Sequence, residues 1–212
     1  MSKEFIIKSL RDRITRHELP PGGKLLETDL AKEFKVSRAK VRDVLSVLQQ
    51  RGLVRRIPNR GAVVETLGLT QIAHIYAVRE VVEGLGARLA AQNMPPESWQ
   101  DLVTLFGQPM EDDVHQGNFD AYVQKLELLR ERILTAANNP VLTDIVENIQ
   151  DRARMIMRRI VILPGRAETG LKEHRAVLQA LQAGDPDAAE ACTRANIRSG
   201  MAFLRRYQTF LL

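Results

Sequence analysis

Three basic side chains stand close together in the first third of the chain, namely Arg38, Lys40 and Arg42. They follow Ser37, a residue type that caps a helix N-terminus by accepting a backbone hydrogen bond. Because the helix dipole favours acids over bases in the first turn, this basic cluster indicates an anionic partner. Cationic side chains at the start of a helix suit the phosphates and base edges of the DNA major groove. The cluster therefore predicts a contact with nucleic acid.

The helix that would carry this cluster is bounded at both ends. Its apolar residues recur at i, i+3, i+4 and i+7, which is one face of a helix: Val41, Val44, Leu45 and Leu48. Gly52 provides a stop signal at the C-terminal end. Arg38 and Arg42 fall opposite the apolar face, so a solvated basic face is the simple alternative to DNA contact.

The surrounding pattern favours DNA contact over a solvated face. Residues 4–18 and 27–35 predict two amphipathic helices, and only a few residues separate the second from the helix after Ser37. Two short helices joined by a tight turn form a helix-turn-helix. The apolar runs 53–57 and 62–65 flank a turn and predict a β-hairpin. This hairpin would be a wing, with Arg60 at its tip.

The distribution of charge agrees with a basic N-terminal module. The chain has 212 residues and a net charge of +5, with 27% charged and 44% hydrophobic residues, as is typical of a globular protein. Residues 1–66 contain 15 Lys and Arg against 8 Asp and Glu, a balance of +7, whereas the remainder has 16 against 18, or −2. Affinity for a polyanion is therefore expected in the first third.

The rest of the chain predicts a bundle of helices. Helical patterns follow one another between Pro, Gly and Asn breaks: 70–93, 98–116, 119–138, 140–163, 168–183 and 186–210. We thus predict a mainly α protein, with an N-terminal winged helix-turn-helix that includes a small β-hairpin and a C-terminal all-α bundle. The predicted domains are 1–66 and 71–212, joined by the linker 67–70.

The N-terminal motifs resemble the winged-helix domain of the GntR family of bacterial regulators. The matching segments span residues 4–66 and include Leu19-Pro-Pro-Gly-Gly-Lys-Leu, Asp29-Leu-Ala, Val41-Arg-Asp-Val-Leu and Asn59-Arg-Gly-Ala-Val-Val. Where the family usually has Thr-Pro, this chain has Ala39-Lys40, which suggests a different operator. The residues expected to contact DNA are Thr28, Ser37, Arg38, Ala39, Lys40, Arg42, Arg60 and Gly61.

The C-terminal motifs resemble the all-helical FCD effector domain of the FadR subfamily, through Ala136-Ala-Asn-Asn-Pro and Glu173-His-Arg-Ala-Val-Leu among others. Many such domains hold a divalent metal with one Asp and three His ligands. The resemblance places these ligand positions on Leu126, Arg130, His174 and Asn196, so only His174 is a strong ligand. We therefore expect no metal and no other cofactor.

The same alignment suggests what replaces the metal. Arg130 can bind a carboxylate through two hydrogen bonds, and we expect Arg79, His174 and Asn196 to complete an effector pocket for a small organic acid. The simple alternative is that Arg130 reaches solvent or pairs with Glu127 or Asp120, and this alternative stays open here.

Catalytic and membrane functions find no support in the sequence. The other histidines, His17, His74 and His115, form no metalloenzyme spacing, and no phosphate loop or nucleophile elbow occurs. The single Cys192 cannot form an intrachain disulfide, and no apolar run has membrane-spanning length. We expect a soluble cytoplasmic protein that is not an enzyme.

The combined prediction is a ligand-responsive regulator that binds double-stranded DNA at a palindromic operator as a homodimer, and we expect it to act as a repressor. We expect the C-terminal bundle to form the dimer, because apolar residues from Met201 to Leu212 exceed what such a bundle need bury. The alternative function is a metabolite-binding helical protein whose basic module only tethers it to nucleic acid.

Overall fold

The computed structural model describes residues 1–57 and 61–211. The chain forms two compact units: the first is Met1–Gly68 with Asn148–Ile156, and the second is Leu69–Glu147 with Met157–Leu212. The predicted fold class is confirmed, because the first unit combines helices with a small sheet and the second is helical. The sequence assigned residues 148–156 to the C-terminal domain, whereas here they belong to the first unit.

The first unit contains the three predicted helices. They are α1 (Lys3–Thr15), α2 (Glu27–Phe34) and α3 (Arg38–Gln50). Ser37 caps α3, because its hydroxyl accepts a hydrogen bond of 3.2 Å from the amide of Lys40. The apolar stripe of α3 is buried as predicted, and it leaves the first turn of the helix free to face solvent.

A three-stranded antiparallel sheet completes this unit. Its strands are β1 (Lys24–Leu25), β2 (Val54–Ile57) and β3 (Gly61–Val64), in the order β1-β3-β2. The hairpin of β2 and β3 was predicted, but β1 was not. Gly61 has a φ of +84°, and a Cβ there would lie 2.9 Å from the carbonyl oxygen of Leu25. Only glycine therefore fits where β3 passes β1.

The segment Asn148–Ile156 is held in the first unit by buried charge. Asp151 is 2% exposed, and Arg51 donates a hydrogen bond of 3.1 Å to its carboxylate. Arg152 donates from Nε to the carbonyl oxygen of Arg51 at 3.2 Å. Because a buried carboxylate requires such partners, these contacts explain why the segment belongs to this unit.

The second unit is built from the remaining helices. A 3₁₀ turn at Pro96–Trp99 separates the first two of them, and the middle of α8 (residues 148–156) belongs to the first unit. The helices are α4 (Leu69–Asn93), α5 (Gln100–Leu105), α6 (Gln108–Gln116), α7 (Phe119–Ala137), α8 (Pro140–Val161), α9 (Arg166–Gln182), α10 (Pro186–Arg206) and α11 (Gln208–Leu211). No helix of the two described ranges is long and apolar enough to cross a membrane.

The single helix predicted for 98–116 is wrong, because the chain turns between α5 and α6. Proline lacks an amide hydrogen and its ring clashes with the carbonyl four residues earlier, so Pro109 cannot continue α5. It lies instead in the first turn of α6, where its missing donor costs nothing. Phe106, at the turn, is fully buried in the core.

The apolar residues of α10 are used inside the unit. Met201 and Leu204 are 7% and 1% exposed, and Phe203 stacks against Tyr207 with ring centroids 6.5 Å apart. The expectation that this segment offers surplus apolar surface is therefore wrong for Met201 and Leu204. The side chains of residues 210 and 211, and all of residue 212, lie outside what the structure describes.

Candidate functional site

The first turn of α3 presents two arginines to solvent. The side chains of Arg38 and Arg42 are 59% and 54% exposed. Both meet the carboxylate of Glu27 on α2, since Arg42 donates from Nε to its Oε2 at 2.8 Å and Nη2 of Arg38 lies 3.7 Å from that oxygen. The structure thus brings two of the predicted residues together, with an acid that the sequence analysis did not single out.

The other residues predicted to contact DNA have varied surroundings. Ser37 caps α3, and the ammonium group of Lys40 donates to the carbonyl oxygen of Met1 at 2.7 Å. Ala39 and Thr28 are exposed, and the Thr28 hydroxyl bonds the carboxylate of Asp29 at 3.2 Å. Gly61 begins β3, and Arg60 lies outside the described residues.

The sequence analysis missed a third exposed arginine beside this surface. Arg56, on β2, donates from Nη2 to the carbonyl oxygen of Arg42 at 2.7 Å and to the Ser46 hydroxyl at 3.1 Å. The neighbouring Arg55 is also exposed. Side chains of adjacent strand residues point to opposite faces of a sheet. This alternation could have predicted that one of the two arginines points towards α3.

The second unit contains a cavity of about 110 Å³ between its helices. Its walls combine aliphatic and aromatic residues with a smaller number of polar groups, as in ligand sites generally. The polar lining comprises Tyr76, Arg79, Glu83, Tyr122, Arg130, Arg166, His174, Thr193 and Asn196. All four residues predicted for the effector site therefore line one cavity.

One side of the cavity carries a cluster of two arginines and a glutamate. Arg79, only 6% exposed, donates from Nε to Glu83 at 2.6 Å. Nε of Arg130 lies 3.8 Å from the same carboxylate. Burial alone would raise the pKa of Glu83, but the two arginines outweigh it and the pKa is lowered. Glu83 is therefore ionised, and it balances part of the positive charge.

One nitrogen of the Arg130 guanidinium forms a hydrogen bond, and another does not. Its Nη1 donates to Glu127 at 2.9 Å, and its side chain is 14% exposed, so it does not extend into solvent. Pairing with Glu127 was one predicted alternative, whereas Asp120 pairs with Arg158 instead. The buried Nε of Arg130 makes no hydrogen bond within the described part of the chain.

The cavity lining also contains Arg166, which the sequence analysis missed. It is 8% exposed and lies over the ring of Phe203, with its guanidinium carbon 5.5 Å from the ring centroid. Its Nη1 donates to Glu173 at 2.8 Å, and the amide of Asn196 donates to the same carboxylate oxygen at 2.8 Å. Arg166 is the first residue of α9, and its helix was predicted to begin two residues later.

His174 is a neutral side chain in this cavity. Burial, reinforced by the nearby Arg166 and Arg130, lowers its pKa to about 4. Its Nδ1 lies 2.6 Å from the carbonyl oxygen of Gly170 and must donate to it, because a carbonyl only accepts. The neutral ring therefore keeps Nε2 as an acceptor.

The residues at the family's metal positions do not fit a divalent metal. Leu126, Arg130, His174 and Asn196 do line the same cavity. A leucine offers no ligand atom, a guanidinium repels a cation, and the amide nitrogen of Asn196 donates to a neighbouring carboxylate. Within residues 1–57 and 61–211, no group of three or more His, Cys, Asp or Glu side chains could hold a metal ion.

Two family models match the chain in successive segments. Residues 2–64 match the model described as bacterial regulatory proteins, gntR family, and residues 74–199 match the FCD domain. The first match contains the exposed arginines of α3. The second contains every residue that lines the cavity except Gly200.

Curated and solved proteins agree with these matches. The HTH-type transcriptional regulator YdhC of Bacillus subtilis is 27% identical, over 85% of this chain and 81% of that protein. The HTH-type transcriptional repressor RspR of Escherichia coli is also 27% identical, over 87% and 81%. The solved structure of E. coli McbR/YncC has a TM-score of 0.82 at 22% identity and covers 99% of both chains, which shows the shared fold.

Proposed function

Because the chain belongs to the GntR family of bacterial regulatory proteins, with an FCD domain after its winged helix, we propose that it binds a palindromic operator as a homodimer and that a small organic acid controls this binding. The chain is a DNA-binding transcriptional regulator and not an enzyme. Since relatives include a repressor, repression is the proposed sign of regulation.

The observation that supports specific DNA binding is the pair of exposed arginines on α3. A helix-turn-helix presents the first residues of its second helix to base edges in the major groove. Arg38 and Arg42 stand at that position, more than half exposed, while the apolar face of the same helix holds it in the core. Arginine is also the residue that most often reads guanine, by two hydrogen bonds to one base.

A measurement of sequence preference separates this function from simple tethering to nucleic acid. An operator is first selected from a pool of random duplexes by its binding to the protein. At one stated salt concentration, we expect the protein to bind this operator at least about a thousandfold more tightly than random duplex. Fluorescence anisotropy with both duplexes checks this ratio. A ratio near one would support the tether and contradict the proposed regulator.

The cavity of the second unit supports a small acid as the effector. Three arginines line it, and the Nε of Arg130 and the hydroxyl of Thr193 are buried without a hydrogen-bond partner in the described chain. A ligand carboxylate would accept from Arg130, and a hydroxyl on the ligand would serve Nε2 of His174. We therefore propose metal-independent binding of a small carboxylate that also carries a hydrogen-bond donor.

The proposed dimer uses an exposed apolar face in place of the C-terminal segment. Val78, Val81 and Leu85 of α4 are 47%, 53% and 39% exposed and recur at i, i+3 and i+7. Val141 and Ile145 on α8 are 69% and 42% exposed. Exposed apolar faces of this kind mark interaction sites, and a second copy can cover this one symmetrically because a two-fold interface pairs a surface with itself.

The variant Val81→Glu is expected to weaken the dimer at least about tenfold, since a two-fold axis brings two added charges into one apolar interface. Analytical ultracentrifugation of the full chain across a concentration series measures the dissociation constant. Leu128→Glu is the control, because Leu128 is an apolar residue of similar exposure, 50%, that lies on α7 and not on α4 or α8. Equal association of wild type and Val81→Glu would exclude the α4 face as the interface.

A further inference from the structure

A single carboxylate holds both exposed arginines of α3. Glu27 is the first residue of α2 and its side chain is 18% exposed, against 59% for Arg38 and 54% for Arg42. Its Oε2 accepts a hydrogen bond of 2.8 Å from Nε of Arg42, and Nη2 of Arg38 lies 3.7 Å away. An acid thus stands at the surface where DNA phosphates are expected.

The contact with Glu27 restricts how Arg42 can meet a ligand. The guanidinium is planar, so a hydrogen bond at Nε sets the plane in which both Nη groups lie. The backbone at this position is fixed as well, because Arg56 donates to the carbonyl oxygen of Arg42 at 2.7 Å. An arginine ordered before binding loses less conformational entropy when it forms a specific contact.

The charge of Glu27 acts in the opposite direction on non-specific binding. The hydrogen bond from Arg42 lowers the pKa of Glu27, so the carboxylate is ionised at neutral pH. A negative charge beside Arg42 offsets part of its attraction for phosphates, the interaction that supplies nearly all non-specific affinity. Glu27 therefore favours contacts of Arg42 with DNA bases over contacts with DNA phosphates.

We propose that Glu27 is a positioning residue for sequence specificity: it holds Arg42 so that both Nη groups address the edge of a guanine, and it reduces the affinity of that arginine for phosphates. The proposal rests on the proposed function, in which α3 enters the major groove. It predicts that loss of Glu27 changes the ratio of specific to non-specific binding and not only the overall affinity.

The test compares Glu27→Gln with Asp29→Asn in the full chain. The two changes remove one charge each from the first turn of α2, but only the first replaces the ion pair with Arg42 by a weaker, neutral contact. For Glu27→Gln, we expect operator affinity to fall several-fold and affinity for random duplex to rise several-fold, so that their ratio falls about tenfold or more. For Asp29→Asn, both affinities should change by the same factor.

A double-mutant cycle links the effect to Arg42. If Glu27 acts through Arg42, then Glu27→Gln/Arg42→Ala should discriminate between operator and random duplex no worse than Arg42→Ala alone. Circular dichroism verifies that each variant is folded.

Three outcomes are informative. If Glu27→Gln raises both affinities equally, Glu27 only screens charge and the inference is overturned. Additive losses in the cycle would overturn it as well, since the residue would then act without Arg42. If Arg42→Ala leaves operator binding unchanged, the proposed role of α3 in DNA recognition is contradicted, and the inference about Glu27 is contradicted with it. This result differs from a failure of the inference alone, because it is obtained with Glu27 intact.

Discussion

The double variant Arg38→Ala/Arg42→Ala is expected to bind its selected operator at least about a hundredfold more weakly than the wild-type protein while keeping its fold. Loss of one arginine that reads a base typically weakens binding about five- to a hundredfold, and here two are removed. Both side chains are more than half exposed, so their truncation leaves the buried stripe of α3 intact.

The variant also reverses the local charge. Arg38, Arg42 and Glu27 together carry a charge of +1, whereas Glu27 alone carries −1 and keeps only the weaker attraction of Arg56. Phosphates are then repelled where they were attracted, so binding to random duplex should weaken too. Titrations at several salt concentrations separate the two contributions, because each lost phosphate contact reduces the salt slope by about one.

A matched control removes an arginine that lies elsewhere in the first unit. Arg13 on α1 pairs with Glu33 at 2.7 Å, and Arg13→Ala is expected to leave operator affinity within a few-fold of wild type. Anisotropy with the selected operator checks both variants, after circular dichroism has shown native helix content. Operator binding by the folded double variant at wild-type strength would refute the assignment of α3 as the recognition helix.

Short-range signals explain why the DNA-binding unit could be predicted in detail. The cap at Ser37, the periodicity of the apolar residues of α3 and the apolar runs that become β2 and β3 are each local, and each determines an element within about a dozen residues. Strand β1 escaped prediction because two residues have no recognisable period. It exists only through its pairing with β3, where Lys24 faces Val63.

Prediction of the cavity was only partial, because its residues come from separate helices. Arg79, Arg130, His174 and Asn196 were assigned together through family resemblance, whereas no periodicity relates side chains on four helices. Arg166 was missed because it begins α9, where the pattern is weakest. Its burial depends on the stacking with Phe203, about forty residues later, which no local rule anticipates.

The helix break at Phe106 shows a different limit. The proline that excludes a continuous helix is visible in the sequence, yet the apolar pattern of 98–116 continues across it and favoured a single element. Phe106 is fully buried in the core between the end of α5 and the start of α6. The apolar pattern alone does not decide whether the helix breaks before Pro109. Tertiary packing therefore decides it.

The variant Arg130→Ala is expected to weaken effector binding by about a hundredfold or more. A ligand carboxylate that leaves water needs a cation and hydrogen-bond donors, and the open Nε of Arg130 is the buried donor best suited to it. Removing one partner of a buried, hydrogen-bonded charge pair has effects of this size. Thermal shift with a library of small carboxylates, with and without hydroxyl groups, identifies ligands for calorimetric titration of both proteins.

Neighbouring charges explain why the effect should be specific to Arg130. Arg79 is engaged by Glu83 and Arg166 by Glu173, each through a hydrogen bond shorter than 3 Å. A ligand would have to displace these carboxylates. Nε of Arg130, which lies 3.8 Å from Glu83 and makes no hydrogen bond in the described chain, can donate to a ligand carboxylate while Nη1 keeps Glu127. Arg130→Lys retains the charge but loses the planar donor pair, so its affinity should fall between those of wild type and Arg130→Ala.

Arg132→Ala is the matched control, because Arg132 lies on the same helix and pairs with Asp101 at 2.9 Å outside the cavity lining. It should bind the effector as tightly as wild type. Elemental analysis of the purified wild-type protein should show no stoichiometric metal, since the residues at the family's metal positions include a leucine and a guanidinium. Tightly bound zinc or nickel would contradict the metal-independent site, and equal ligand affinity of wild type and Arg130→Ala would show that another group holds the carboxylate.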